Sequence, residues 1–343
     1  MEKTILIVGG YGQVGGRIAA NLSTQFDGQI ILAGRNPVRA AAAAGRLGER
    51  VHSRSVDLAD AATYTSATEA VDLVVVCIDL PDTAFVEHCL ERGIHYLDVS
   101  AEYETICKVV ELDPIARRHG ATAVLGVGLI PGLSNLMAKR GVSRMRTATR
   151  VENAFLVGLG EEHGIASLLW TFGHLGDPEY REQAKFDFRA PYGQRTVLHY
   201  AFPDQYTLPQ TLPIESATSW LCMDSVPMTR LFGLMRRLGL SGLFRNASFL
   251  GLFARLGRRL RFGREDCVVT TRVVGPQGSY QAWLTGRGEA FVTALAAAEA
   301  ARQLAVASFG SGVYHVEQVF RLDDFLPTLE SEDVSFDESL PRP

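Results

Sequence analysis

The stretch TILIVGGYGQVGGRIAA, residues 4–20, constrains the fold more than any other part of the chain. Thr4 to Val8 is apolar, rich in β-branched residues and without alternation, which predicts a strand buried on both faces of a parallel sheet. Gly10, Gly12 and Gly15 follow as G-x-G-x-x-G, and a helix is expected from about Gln13 to Leu22. Gly10 permits a tight turn, Gly12 lets backbone N–H groups approach an anion, and Gly15 lets the helix pack close on the strand. The positive N-terminal end of that helix faces the same anion. A strand before the glycines and a helix after them is the context of a dinucleotide pyrophosphate site.

The second strand reads as QIILAGRNP, residues 29–37. Sites that take a ribose 2′-hydroxyl carry an Asp or Glu at the end of this strand, roughly 20 residues past the glycines. Here no acid lies between Asp27 and Glu49; Gly34, Arg35 and Asn36 fill the position, and Arg39 follows one turn later. Gly34 would leave room for a phosphate, and Arg35 offers planar charged donors that match phosphate oxygens. The expected cofactor is therefore NADP(H), with Arg35 on its 2′-phosphate. FAD fits less well, because its sites usually carry the same acid.

The strand–helix rhythm continues. Residues 51–56 predict a third strand, 72–78 a fourth, 95–99 a fifth and 121–127 a sixth. Six strands with intervening helices predict an α/β, doubly wound parallel sheet with ligands at the C-terminal strand ends. Asp57, just past strand three, is read either as an acceptor for an adenine amino group or as a helix cap. Cys77 is read as a small buried hydrophobe and not a nucleophile. The cofactor contacts expected on this rim are Gly10, Tyr11, Gly12, Gln13, Val14, Gly34, Arg35, Asn36, Asp57, Leu58, Cys77, Ile78 and Ser100.

A chain of 343 residues has room for two domains. Its net charge of -4 argues against general nucleic-acid binding. Five scattered cysteines, with no C-x-x-C pair, fit reduced thiols in a cytoplasm and no metal site. Neither a signal peptide nor a membrane-spanning run is read.

GGYGQVGGRIA, the AGR after strand two, VVCIDLPDTAFVEHCLERGIHYLDVSAE and GVGLIPGLSNLMA, in this order, resemble the saccharopine dehydrogenase-like family of NADP-binding oxidoreductases. WLTGRGEAFVTALAAAEAARQLA and GVYHVEQVFRLDDFLPTL extend the resemblance near the C-terminus. It implies a Rossmann domain over 1–128 and a second α/β domain on a mixed or antiparallel sheet over 129–310. A segment at 311–331 is expected to return to the first domain, with an acidic mobile tail at 332–343. A homodimer acting on a small-molecule substrate is expected. The family is mixed in activity, so the resemblance implies fold and cofactor more than substrate.

Pro131 is placed at the first position of the helix PGLSNLMAKR, where free N–H groups could take a substrate carboxylate, a carboxamide or nothing. The turn around Tyr96, Asp98, Ser100 and Glu102 is, by resemblance, a wall of the nicotinamide pocket. Asp98 and Glu102, with His163 from the second domain, are the catalytic candidates. Arg181, Arg189 and Arg195 are candidates to clamp a substrate carboxylate. Residues 228–264 carry nine arginines and no acid among many Leu and Phe. They are read as cleft-covering helices, a membrane-surface contact or a dock for an acyl carrier protein. The expected reaction is NADPH-dependent reduction of a C=N bond formed from an amine and a carbonyl compound. Reduction of a C=C or C=O bond on an apolar or carrier-bound substrate is the alternative, and NADPH binding without turnover the third.

Overall fold

The computed structural model describes residues 2–99, 101–161, 165–175, 177, 179–246, 248–251 and 263–339. The chain divides into two compact units, Met1–Leu136 with Ala290–Leu329, and Met137–Glu289 with Glu330–Pro343.

The first unit is built on β1 (Thr4–Val8), β2 (Gln29–Gly34), β3 (Val51–Ser55), β4 (Leu73–Val76), β5 (His95–Asp98), β6 (Thr122–Leu125) and β13 (Gly312–His315). All seven strands are parallel, in the order β13-β6-β5-β4-β1-β2-β3. The chain winds outward from β1 to β3, then crosses back to β4 on the other side of β1. Strand order therefore reverses between β1 and β4, and a crevice opens at their C-terminal ends. Ile5 to Val8 and Leu73 to Val76 are fully buried, as their unalternating pattern requires. Each such side chain stabilises the fold by about 1.5–3 kcal/mol. The second strand stops at Gly34 because Asn36 caps the next helix, its Oδ1 accepting from Arg39 N at 3.0 Å, and Pro37 takes the first helical position. β13 comes from the segment expected to return to this domain; its Gly312–His315 run pairs along Thr122–Leu125 of β6. The domain limits differ from the sequence reading: the helix Glu289–Val306 belongs from Ala290 onward to the first unit.

The second unit holds β7 (Arg150–Val157), β8 (Gln183–Asp187), β9 (Gln194–His199), β10 (Ser216–Met223), β11 (Asp266–Gly275), β12 (Gly278–Arg287) and β14 (Ser335–Ser339). Their order is β14-β12-β11-β7-β10-β9-β8, with β7 and β10 parallel and the other pairs antiparallel. The sheet is mixed, as expected.

The acidic tail is not the mobile segment that its composition suggested. β14 pairs with β12 from Gln281↔Ser339 to Thr285↔Ser335. Its acids are what hold it. Glu338 takes a two-pronged ion pair from Arg140, with Nε–Oε2 at 2.8 Å and Nη2–Oε1 at 2.9 Å. The Tyr280 hydroxyl donates to Glu338 Oε2 at 2.7 Å. Asp337 pairs with Arg189, whose guanidinium lies 3.6 Å over the Trp283 ring. The bonds from Arg140, helped by Tyr280, hold the Glu338 carboxyl down at about 2.

Candidate functional site

The glycine turn has the geometry its spacing demands. Gly9 sits at φ +80, and the Gly12 N–H closes onto Gly9 O at 2.8 Å. A Cβ on Gly10 would come within 2.8 Å of Ile7 O, and one on Gly15 would run into Gly9 O. The helix Gln13–Gln25 therefore lies directly against the turn. Gly12 is its exposed N-cap, with no side-chain cap and no acid in the first turn. Gln13 and Val14 stand half-buried in that turn. A positive helix end left uncapped beside an exposed glycine fits a pyrophosphate.

At the end of β2 the structure alters one expectation. Gly34 does not leave a vacant space for a phosphate. The Tyr11 ring fills it: a Cβ at Gly34 would come within 2.6 Å of the Tyr11 oxygen. That oxygen accepts from Asn36 N at 3.1 Å, and the Arg39 guanidinium lies 5.0 Å from the ring centroid. Arg35 is exposed, with no hydrogen-bond or ion-pair partner among the described residues. Phosphate donors are thus present beside Tyr11, and no acid among the described residues pairs with Arg35 or Arg39.

Asp57 closes a local turn, its Oδ1 accepting from Ala59 N at 3.1 Å, and it does not cap the following helix: Asp60 does, accepting from Ala62 N at 3.1 Å. Leu58 points into the core, while its carbonyl accepts from the Tyr64 hydroxyl at 2.6 Å. Burial, with the Asp98 charge beside it, pushes the Cys77 thiol up to about 12, so it is no nucleophile at neutral pH. Ile78 is half-exposed against Gly9 and forms an apolar wall of the β1/β4 crevice.

Asp98 is buried at the end of β5. Its Oδ1 accepts from Gly126 N at 2.9 Å, and the Tyr96 hydroxyl donates to Oδ2 at 3.5 Å. Gly126 has φ +66, so the carboxylate pins the left-handed turn that leaves β6. Burial and the neighbouring carboxylate hold the Tyr96 phenol well above its ordinary value. Glu102 sits half-buried as N-cap of the helix Tyr103–Val110. Ser100 and His163 lie outside the described residues. Pro131 is not the first helical residue: its peptide bond to Ile130 is cis, and the helix runs Leu133–Arg144.

A buried polar cluster at the ends of β6 and β13 escaped the sequence reading. Asn135 Oδ1 accepts from Gly132 N at 3.2 Å and from the Ser134 hydroxyl at 3.3 Å, and its Nδ2 donates to Glu317 Oε2 at 3.0 Å. Ser134, Asn135 and Glu317 are all buried. Burial lowers the pKa of the nearby His315, against the pull of the Glu317 charge. The signal was present in GLSNL and YHVEQ, where polar residues interrupt stretches that must be buried.

In the second unit the three arginine candidates separate. Arg189 is committed to Asp337 and Trp283, and Arg181 is exposed. Arg195 lines a cavity of about 230 Å³ together with Tyr192, Thr196, Thr229 and Arg230. Its Nε donates to Tyr192 O at 3.1 Å, while its buried Nη1 has no acceptor among the described residues. β9 and β10 pair only at His199↔Trp220 and Leu198↔Leu221, and the cavity opens past that point. Of the other histidines, His174 bonds Trp170 O at 3.0 Å and His199 bonds Gln205 Oε1 at 2.9 Å. Among the described residues no group of three or more His, Cys, Asp or Glu could hold a metal ion, and no helix is long and apolar enough to cross a membrane.

A doubly wound parallel sheet with a glycine turn at its switch point, and arginine in place of the usual acid, defines a nicotinamide-dinucleotide-binding domain. Residues 5–124 match the saccharopine dehydrogenase NADP binding domain. That stretch covers β1 to most of β6, so this part of the first unit is an NADP binding domain of the saccharopine dehydrogenase type. Among solved structures it resembles a saccharopine dehydrogenase (L-Glu forming) from Saccharomyces cerevisiae, at TM-score 0.65 and 13% identity over 98% of this chain and 100% of that one. At such identity the likeness shows the fold. GenD2 from gentamicin A biosynthesis, in complex with NAD, aligns at TM-score 0.45 and 14% identity over 98% of this chain and 96% of that one. A dehydrogenase from Chromobacterium violaceum aligns at TM-score 0.44 and 11% identity, over 97% and 94%. No curated protein matches the chain.

Proposed function

We propose that this chain is an NADPH-dependent reductase that delivers hydride to the C=N bond of an imine formed from an amine and a carbonyl compound, one of which bears a carboxylate. The observation that carries the cofactor half is the acid-free end of β2, where exposed Arg35 stands beside the Tyr11–Arg39 stack. Bound NADPH supplies the hydride. Gly10, Gly12 and the start of the helix Gln13–Gln25 hold the pyrophosphate, and Arg35 with Arg39 holds the 2′-phosphate. Ile78 shields the crevice from water. Asp98 keeps the turn at Gly126 in place and so acts as a positioning residue. Glu102, at the rim of the first unit, handles the proton that the substrate nitrogen must gain. Arg195 clamps the substrate carboxylate, which would satisfy its unpaired buried nitrogen.

Fluorescence titration tests the cofactor assignment. Wild type should bind NADPH at least about tenfold more tightly than NADH, and Arg35→Ala should remove most of that preference, a loss of about 1.5–3 kcal/mol. Equal affinities in the wild type would sink it.

The second reading is reduction of a C=C or C=O bond on an apolar or carrier-bound substrate. Arg195→Ala separates the two. For a carboxylate-bearing imine it should raise KM about tenfold or more with kcat little changed, since a clamp that acts equally before and during hydride transfer contributes uniform binding. An unchanged KM would favour the apolar substrate.

A further inference from the structure

The helix Val226–Arg237 is inverted relative to an ordinary surface helix. Its inward face carries Thr229, Phe232, Gly233 and Arg236. Arg236 is buried there and donates from Nη1 to His199 O at 2.5 Å and from Nη2 to His174 O at 3.4 Å. Those bonds and the stacking of Phe232 on Phe172, with centroids 5.8 Å apart, fix which way the helix faces. The outward face then presents Leu231, Leu234 and Leu238, spaced three and four apart on one side. Leu240 and Leu243, in the 3-10 helix Leu240–Arg245, continue the patch. These five leucines are between 47% and 62% exposed. Exposed leucines grouped on one helix face and the turn after it mark an interaction surface.

We infer that this leucine face docks onto an anionic lipid surface. Two observations select that occupant. Exposed Arg230 and Arg237 flank the leucines, and no acid occurs from Val226 through Asn246 to oppose a negatively charged surface. The patch itself is aliphatic and offers no directional donor or acceptor of its own, which suits insertion at the boundary of headgroups and acyl chains. An acidic protein would be held chiefly by the arginines and would have little use for five aligned leucines. The second amphipathic piece of the sequence, from residue 252 onward, lies outside the described residues. The inference concerns attachment and stands apart from the bond that is reduced.

The test is flotation of the full chain with vesicles of phosphatidylcholine, alone or mixed with phosphatidylglycerol. The protein should float with the anionic vesicles and weakly or not at all with the neutral ones. The double variant Leu234→Ser, Leu238→Ser should cut the bound fraction about tenfold at constant salt. Leu243→Ser, on the neighbouring element, should lower it as well. Both side chains of the double variant face solvent, so its thermal midpoint and circular dichroism should match the wild type. Three outcomes overturn the inference. The wild type may fail to float with anionic vesicles. The leucine variants may float as well as wild type. Or the wild type may ignore vesicles while the double variant turns a dimer into a monomer in size-exclusion chromatography, which would make the face a contact between copies. Capture of an acidic carrier protein by a chain that ignores vesicles would count as the first of these.

Discussion

Gly12→Val should lower NADPH affinity by more than about 100-fold, roughly 2.7 kcal/mol, while changing stability by only about 1 kcal/mol. The separation follows from where Gly12 stands. It is the exposed N-cap of the helix Gln13–Gln25, at an ordinary φ of -82, and its nearest neighbour to an added Cβ is Gly9 O at 3.1 Å. The fold tolerates a side chain there, but a branched one would cover the N–H groups of the first turn. Gly15→Ala makes the contrast. Its Cβ would run into Gly9 O and come within 3.0 Å of Gly10 Cα. Backbone cannot rotate out of the way, so binding and about 1–3 kcal/mol of stability should fall together. Calorimetric titration with NADPH, alongside thermal melts of both variants, reads the two effects apart. Wild-type affinity in Gly12→Val would show that no pyrophosphate uses this turn.

The largest stability effect is expected far from that turn. Glu338→Ala should cost the second unit about 2–4 kcal/mol, because Arg140 and the Tyr280 hydroxyl lose a shared acceptor in a partly buried place. The three tryptophans, Trp170, Trp220 and Trp283, all lie in the second unit, so urea unfolding followed by tryptophan fluorescence reports on it selectively. The pH dependence has a definite sign. The folded state holds this carboxyl at about 2, below its ordinary 4.5. Its contribution is therefore complete above about pH 4.5 and lost as pH falls toward 2. Glu338→Ala should flatten the stability profile in that window. If the wild-type and Ala profiles run parallel there, the carboxylate is not what holds β14.

The first unit was legible because its signals are local. Unalternating apolar runs, three spaced glycines and an acid-free strand end each act within a few residues of themselves. What was missed depends on partners distant in sequence. β14 looked like a tail because ESEDVSFDES is acidic and polar; only Arg140 and Arg189, more than 140 residues upstream, turn those charges into attachments. Asn135 and Glu317 are separated by 182 residues and become a pair only when β13 lies beside β6. Gly34 was read by size alone, as room for a ligand, whereas the room is taken by the ring of Tyr11. Asp98 shows the converse: its placement on the rim was legible, but not that its oxygens serve Gly126 and Tyr96.

The path of the chain through the two units has a consequence for synthesis. The second unit is inserted after Leu136, the chain returns to the first from Ala290 to Leu329, and only then adds β14 to the second. A ribosome making this protein in order leaves the outer edge of β6 bare while the next 180 or so residues are made, until Gly312–His315 emerges. The edge of β12 stays bare in its turn over the roughly 50 residues that follow Arg287, until Ser335–Ser339 is released. Neither sheet can be finished before the other is nearly complete. A nascent chain stalled after Arg287 and before Gly312 carries both of these edges unpaired at once, the state in which a β-sheet is most prone to join a stranger.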